Sequence, residues 1–345
     1  MSEYRQDPLS RRWVIVGCDD RAGRPNEFVE ATTRQSGLPC PFCPGNEAHT
    51  PAAVATYAAN GKQGGWLVRV VPNKYPAVTL DQPTCPSCQP LASVPTSGHA
   101  QPAAGNAAPG FGCHEVIIES PRHVASLSEL TDVEAELVFR AYRDRIRDLK
   151  AEGRYKYVQI FKNVGPAAGA SLEHVHSQLV ALPGVPEVLQ QELAASADYF
   201  QQHQRPLLVD LIEQEQAAMT RVVAQTANFV AFCPYASRFP YEVWIAPRRH
   251  QPRFEAVETG MLGELSRLAR EIAGCIERAV GAAAYNAFLH TLPFDMPAYD
   301  HYHWHIEILP RLTKVAGFEW STGCFINPYS PESAADHLRA TLPVR

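Results

Sequence analysis

The chain has 345 residues, 31 Lys and Arg against 36 Asp and Glu for a formal net charge of −5, 46% hydrophobic residues and 19% charged ones. This is the balance of a folded globular chain of about two domains, without the basic excess that binding to nucleic-acid backbones requires. No apolar run approaches the roughly 20 residues of a bilayer crossing, and Met1-Ser-Glu-Tyr-Arg-Gln-Asp7 has no signal-peptide core; a cytoplasmic location with neither membrane nor nucleic-acid partners is expected.

In chain order, Arg11-Arg-Trp-Val-Ile-Val16 reads as a strand, followed by the loop Asp19 to Pro25. Residues 66–72 and 115–121 read as strands around a Pro, Gly, Ser and Ala-rich insertion at 81–112. From Ser128 to Ala151 the apolar residues recur at helical spacing, with Thr131 as cap. Strands follow at Tyr155–Phe161 and His174–Leu182, separated by the glycine-containing loop Asn163 to Gly169. The second half repeats this plan with strands at 229–234 and 242–247, a helix over 260–280, and strands at 285–290 and 301–309. His123 and His250, His174 and His301, and His176 and His303 are each 127 residues apart. One period at three places argues for a duplicated unit, pairing into one extended sheet with helices against it. The boundary falls in the polar helical stretch near 190–220, giving units 1–195 and 196–345.

Thirteen His and nine Cys stand out for a chain of this kind. His174-Val-His176-Ser-Gln178 alternates on a strand, so its three polar groups share a face. A neutral imidazole is a competent nucleophile toward phosphorus, so His176 can carry a phosphoryl or nucleotidyl group. Gln178 can donate to phosphorus-bound oxygens without adding charge, and Ser171 with the amides of its glycine-rich turn can hold the others. A backbone carbonyl near His176 is expected to hold its second ring proton and so set the tautomer.

Cys40-Pro-Phe-Cys43 supplies two thiolates spaced for tetrahedral zinc, with His123 and His174 as candidate partners. Cys85 and Cys88 are a competing second pair, although their separation from the first exceeds ribbon spacing. The other five cysteines, Cys18, Cys113, Cys233, Cys275 and Cys324, read as small buried hydrophobes. In His301-Tyr-His-Trp-His305-Ile-Glu307 the three His and Glu307 fall on one strand face, too extended for one ion to reach all four. A second metal near His290 and His305 is one reading of this run; a lining of the substrate pocket is the other. Arg21 and Arg24 flank a turn and match a diphosphate clamp, because guanidinium forks fit phosphate oxygens.

Together these residues resemble the galactose-1-phosphate uridylyltransferase family of the histidine-triad superfamily, including its ADP-glucose phosphorylase branch. The likeness runs from Asp7-Pro8 and Arg12-Trp13 through Cys40-Pro-Phe-Cys43, Asn73-Lys-Tyr-Pro76, Gly112-Cys-His-Glu115 and Ser120-Pro-Arg-His123 to Tyr302-His-Trp-His305 and Gly317-Phe-Glu319. It implies an α+β chain of two tandem histidine-triad-like units whose antiparallel strands form one extended, half-barrel-like sheet. By the same likeness His176 is the covalent nucleotidyl-histidine, with Asn163, Ser171 and Gln178 around the phosphoryl group. Cys40, Cys43, His123 and His174 match zinc ligands, and Arg21, Arg24, Asn73 and Lys74 match nucleotide-side positions. Lys314, Phe318 and Glu319 lie where the family handles the sugar phosphate. The resemblance further implies a homodimer whose active site is completed across subunits.

The implied reaction, within galactose metabolism, is a ping-pong exchange between UDP-glucose and a hexose 1-phosphate. ADP-glucose phosphorolysis is the alternative, and a zinc-stabilised nucleotide-binding protein without turnover the reading from another class. Departures are specific. Ala170 replaces a cysteine of some uridylyltransferases, and Pro206-Leu-Leu-Val209 stands where one branch has a second Cys-x-x-Cys. Phe325 stands where the uridylyltransferases have a hexose-binding Gln, and Gly323-Cys-Phe-Ile-Asn327 resembles the phosphorylase branch.

Overall fold

The computed structural model describes residues 2–17, 39–58, 65–80, 110–281, 284–296 and 301–343. Arg21, Arg24, Cys18, Cys85, Cys88 and most of the 81–112 insertion lie outside the described residues. The chain opens with β1 (Glu3–Gln6) and β2 (Trp13–Val16), paired antiparallel. Asp7 closes the connection between them by accepting the Leu9 N–H at 3.0 Å, a short side chain standing in for a backbone turn. Then follow β3 (Ala55–Tyr57), β4 (Val68–Pro72), β5 (Cys113–Ile118) and α1 (Asp132–Ala151).

Thr131 caps α1 as expected: its hydroxyl accepts the Glu134 N–H at 3.2 Å and the Glu134 carboxylate accepts the Thr131 N–H at 2.8 Å. The helix starts later than the expected Ser128 because residues Leu127–Glu129 form a separate 3-10 turn capped by Ser126. Next come β6 (Tyr157–Val164), β7 (His176–Leu182), α2 (Glu187–His203) and α3 (Leu207–Ala218). The stretch near 190–220 is thus two helices broken at Pro206, which cannot continue α2. The chain continues with β8 (Val222–Gln225), β9 (Phe229–Phe232), β10 (Val243–Pro247), α4 (Thr259–Val280), β11 (Tyr285–His290) and β12 (His305–Pro310). It ends with α5 (Gly317–Thr322), β13 (Phe325–Asn327) and α6 (Pro331–Ala340).

Among the described residues the strands form a small sheet, β1-β2-β13, and a ten-stranded one, β3-β4-β5-β7-β6-β11-β12-β10-β9-β8. Every pair in the large sheet is antiparallel, so this is an α+β chain. Outward from the central β6–β11 pair the order reads alike on both sides: β7, β5, β4 on one and β12, β10, β9 on the other. α1 and α4 pack against each other and the sheet, burying Leu137, Val138, Ile146, Leu265, Ile272 and Ile276 with strand residues such as Ile117, Leu179, Ile245 and Ile308. On the opposite face, α2 and α3 cover the second half around Leu208, Ile212, Phe232 and Trp244.

The histidine-bearing strands β7 and β12 start later than expected, for one reason. Before β7 the Val175 N–H donates to Val124 O at 2.7 Å, and before β12 the Trp304 N–H donates to Gln251 O at 3.0 Å. Each segment is held by the corner after the neighbouring strand, so the ladder begins only at His176 and His305. The same geometry shifts the histidine correspondence by two residues. His174 Nε2–H donates to Ser120 O at 2.8 Å and His303 Nε2–H to Pro247 O at 2.9 Å, which makes His303 rather than His301 the counterpart of His174. His305 then matches His176, and Glu307 matches Gln178: the Cα partners are Val116 for Gln178 and Trp244 for Glu307.

Candidate active site

β7 carries His176 and Gln178 on the face away from α1, and Ser177 on the face toward it. The His176 Nδ1 lies 2.7 Å from the carbonyl of His174, an oxygen that can only accept, so the proton sits on Nδ1 and the lone pair on Nε2. His176 is buried, and burial pushes its pKa down, favouring the neutral imidazole. Phe42, from the Cys40–Cys43 turn, stands edge-on to it with ring centroids 5.3 Å apart.

Behind the strand lies a buried polar group. Lys162 of β6 pairs with Glu119 and donates to the His176 carbonyl at 3.2 Å. Glu119 also accepts from Ser177 and from Tyr142 of α1, the latter at 2.9 Å. Each charge there is matched by a partner or a hydroxyl, as a buried ion requires. The strand segment bearing His176 is thereby tied to the helix layer.

The Cys40-Pro-Phe-Cys43 turn faces the corner after β5. Cys40 Sγ and Cys43 Sγ lie 3.5 and 3.6 Å from His174 Nδ1, and Cys43 Sγ lies 3.3 Å from His123 Nδ1. Since His174 Nε2 is spent on Ser120 O, its Nδ1 lone pair faces the sulfurs. The four ligand atoms all lie within 4.8 Å of one another. Ligands about 2.0–2.3 Å from a tetrahedral ion are spaced about 3.5 Å apart, so two thiolates and two imidazoles fit a metal ion at the centre. Without a cation, burial and the neighbouring Cys40 push the Cys43 thiol up, which further suits this pair to one.

Asn73, Gln178 and His114 converge beside His176. His114 Nε2 lies 2.9 Å from Gln178 Oε1, and Asn73 Nδ2 lies 3.5 Å from the same oxygen. Asn163 pairs through its Oδ1 with Asn286 Nδ2 at 2.8 Å, next to the turn of Gly165 and Gly169. Both glycines have positive φ, and at Gly165 a Cβ would lie 2.9 Å from that of Ala284, so the turn demands glycine twice over. Ser171 is exposed after this turn, and Lys74 is exposed after β4. Lys314, Phe318 and Glu319 are not on the strands that carry the His176 group. They lie before and on α5, which packs against β13, and Glu319 caps that helix by accepting the Ala316 N–H at 3.0 Å.

The second half holds a different cluster at the corresponding place. Glu192 of α2, His290 of β11, and His305 and Glu307 of β12 are all buried, with ligand atoms within 4.8 Å of one another. His290 Nδ1 lies 2.8 Å from Glu192 Oε1; burial alone would lower its pKa, but the carboxylate pushes it up to about 9, so the pair is ionic at neutral pH. Glu307 is matched by Arg238, which also holds Glu242 at 2.8 Å. His305 Nε2 is buried with no hydrogen-bond partner among the described residues. Of the run expected to share one strand face, His301 lies in the turn before β12 and His303 faces the β10 corner. Glu192 escaped sequence reading because it comes from a helix whose pattern gives no sign of a buried carboxylate. Of the described cysteines, Cys233 and Cys275 are buried as expected, whereas Cys113 and Cys324 are partly exposed.

A family model described as "Galactose-1-phosphate uridyl transferase, N-terminal domain" matches residues 1–186, and another, "Domain of unknown function (DUF4921)", matches residues 107–344. An ADP-glucose phosphorylase of Arabidopsis thaliana is 33% identical over 343 residues, 98% of this chain and 92% of that protein. A galactose-1-phosphate uridylyltransferase of Thermotoga maritima is 27% identical over 350 residues, 99% of each. The crystal structure of the Arabidopsis ADP-glucose phosphorylase with bound ADP-glucose superposes with a TM-score of 0.82 at 31% identity, over 98% of each chain. Likeness in sequence and backbone along nearly the whole length of both partners makes this chain a member of the galactose-1-phosphate uridylyltransferase family, and a nucleotidyltransferase.

Proposed function

We propose that the chain transfers a nucleotidyl group from a nucleotide sugar through a covalent intermediate on His176. The observation that carries this reading is the His176 Nδ1–H bond to the His174 carbonyl, which leaves Nε2 unprotonated and available. Nε2 attacks the α-phosphorus, a P–N bond forms, and the P–O bond to the sugar phosphate breaks. A phosphate oxygen of the acceptor then displaces the imidazole. Gln178, Ser171 and Asn163 bind the phosphoryl oxygens, with Asn73, Lys74, Arg21 and Arg24 on the nucleotide side.

Zinc held by Cys40, Cys43, His123 and His174 would be structural: four protein ligands leave no open position. Its role is to fix the turn that carries Phe42. The two halves are read as duplicated histidine-triad-like units, 1–195 and 196–345, whose sheet forms a half-barrel. The strand order, alike on both sides of the β6–β11 pair, supports this. Lys314, Phe318 and Glu319 are then offered to the sugar phosphate in a second copy's site, which requires a homodimer.

Two nucleotide specificities divide the reading. Exchange between UDP-glucose and a hexose 1-phosphate is supported by the family match. ADP-glucose phosphorolysis is favoured by the higher identity to the Arabidopsis phosphorylase and by Phe325 in the Gly323–Asn327 tail. Intact-protein mass spectrometry after incubation with each nucleotide sugar tests both. A uridylyl or an adenylyl adduct is expected on the wild type and none on His176→Gly. Absence of any adduct with either sugar, together with tight nucleotide binding, would instead support a binding protein without turnover. Metal analysis of the same sample is expected to find zinc.

A further inference from the structure

The strand that bears Gln178 leaves its amide free to face either way, yet a donor to phosphoryl oxygens must present its nitrogen. The neighbours decide this. The Ala77 N–H donates to His114 Nδ1 at 3.1 Å, and a backbone N–H can only donate, so in the neutral imidazole the proton is on Nε2. That Nε2 lies 2.9 Å from Gln178 Oε1. The Asn73 Oδ1 accepts the Tyr75 N–H at 2.8 Å, so its Nδ2 is turned toward this pair, 3.1 Å from His114 Nε2 and 3.5 Å from Gln178 Oε1. His114 Nε2, its proton placed by a backbone amide of the segment after β4, is thus the near donor to that oxygen. The Gln178 Nε2 has no hydrogen-bond partner among the described residues.

We infer that His114 is a positioning residue: by donating from Nε2 to Gln178 Oε1 it holds the Gln178 amide with its NH2 group toward the phosphoryl site. This rests on the function proposed above, in which Gln178 meets the transferring phosphoryl group. A reversed amide would set a carbonyl oxygen against phosphoryl oxygens, turning an attraction into a repulsion. His114 therefore acts on the transition state through Gln178 and not on ground-state binding of the sugar.

The test is a double-mutant cycle on full-length protein, reading the rate of nucleotidyl-enzyme formation. His114→Ala is expected to lower kcat about tenfold, the worth of one oriented hydrogen bond, with KM for the nucleotide sugar little changed. In a Gln178→Ala background it should cost nothing further. His114→Gln, whose amide nitrogen can take the place of Nε2, should recover most of the rate. Full activity of His114→Ala, or losses that multiply in the double variant, would overturn the inference. If His114→Ala fails to fold, His114→Gln decides: folded and as slow as Gln178→Ala counts against it, near wild-type rate supports it. Imidazole 15N shifts of His114 give a readout independent of turnover. A protonated Nε2 and bare Nδ1 are expected; the opposite tautomer removes the inference even where the covalent adduct forms, whereas an absent adduct with the expected tautomer strikes the functional reading alone.

Discussion

His176 and His305 occupy the same place on corresponding strands, and their neighbours give them opposite characters. His176 has Nδ1 tied to the carbonyl two residues before it and Gln178 beside it, with only Phe42 and a cysteine turn above. His305 keeps a longer contact of the same kind, 3.4 Å to His303 O, but has Glu307 in the place of Gln178 and α2 over it. Glu192 reaches down to His290, Arg238 reaches across to Glu307, and Trp244 stacks on the His305 ring with centroids 5.0 Å apart. The strand scaffold thus leaves an imidazole suited to the proposed nucleophilic role only where no helix is laid over it. Where a helix is laid over the same face, the polar side chains turn on one another and become a sealed ion network.

The largest effect separates these two histidines directly. His176→Ala is expected to reduce nucleotidyl transfer roughly 10⁴-fold or more, as loss of a covalent nucleophile does, while His305→Ala stays within about twofold. Single-turnover transfer of radiolabelled nucleotide from the sugar measures both. Labelling of His176→Ala, or loss of labelling in His305→Ala with the fold intact, would erase the distinction.

Much of the first half was legible because its chemistry lies on short motifs. Cys-x-x-Cys and His-x-His-x-Gln each place several groups by local spacing alone, and Cys40, Cys43, His123 and His174 do come together. Long regular periodicity made α1 and α4 readable, and even the Thr131 cap. Of the second cluster, His305 and Glu307 were legible from the run along β12, with His290 near it, but Glu192 on α2 and Arg238 in a loop were not, because no spacing links them to it. Equal intervals also misled: a count of 127 residues aligned His301 with His174, whereas the stretch from corner to strand is two residues longer in the second half, Gln251 to Trp304 against Val124 to Val175, and shifts the match to His303. The short strands β1, β3, β8 and β13 escaped notice because three or four residues carry too little alternation. His114 lies in the Gly112-Cys-His-Glu115 motif, yet the role inferred for it rests on Ala77 and Gln178, distant in sequence.

A smaller effect compares the two buried ion groups. Arg238→Met leaves Glu242 and Glu307 buried without their shared cation and is expected to cost about 3–5 kcal/mol of stability. Lys162→Met leaves Glu119 with two hydroxyl donors, Tyr142 and Ser177, and should cost less. Urea unfolding of the two variants ranks them. Equal losses would mean that the second half is no more dependent on its charges than the first.

The smallest effect concerns how each corner is held. After β5 the segment Ser120–Arg122, which supplies the carbonyl that orients His174, is anchored to Glu134 of α1: Ser120 Oγ donates to it at 2.6 Å and Arg122 Nε at 3.2 Å. After β10 the matching corner is held by Arg248 donating to the Thr226 carbonyl at 3.1 Å, a group that does not titrate. Burial works to raise the Glu134 pKa, but the bonds from Arg122, Ser120 and Thr131 outweigh it and pull the carboxyl from 4.5 down to about 2. A depressed carboxyl contributes stability that is fully present above its unfolded pKa and is lost as pH falls through its folded one. The fall in melting temperature between pH 4.5 and pH 2 should therefore be shallower in Glu134→Gln than in the wild type. An Arg248→Gln variant should keep the wild-type acid slope. If both variants show the same slope as the wild type, the first corner is held by packing rather than by its carboxylate, and the two corners are alike.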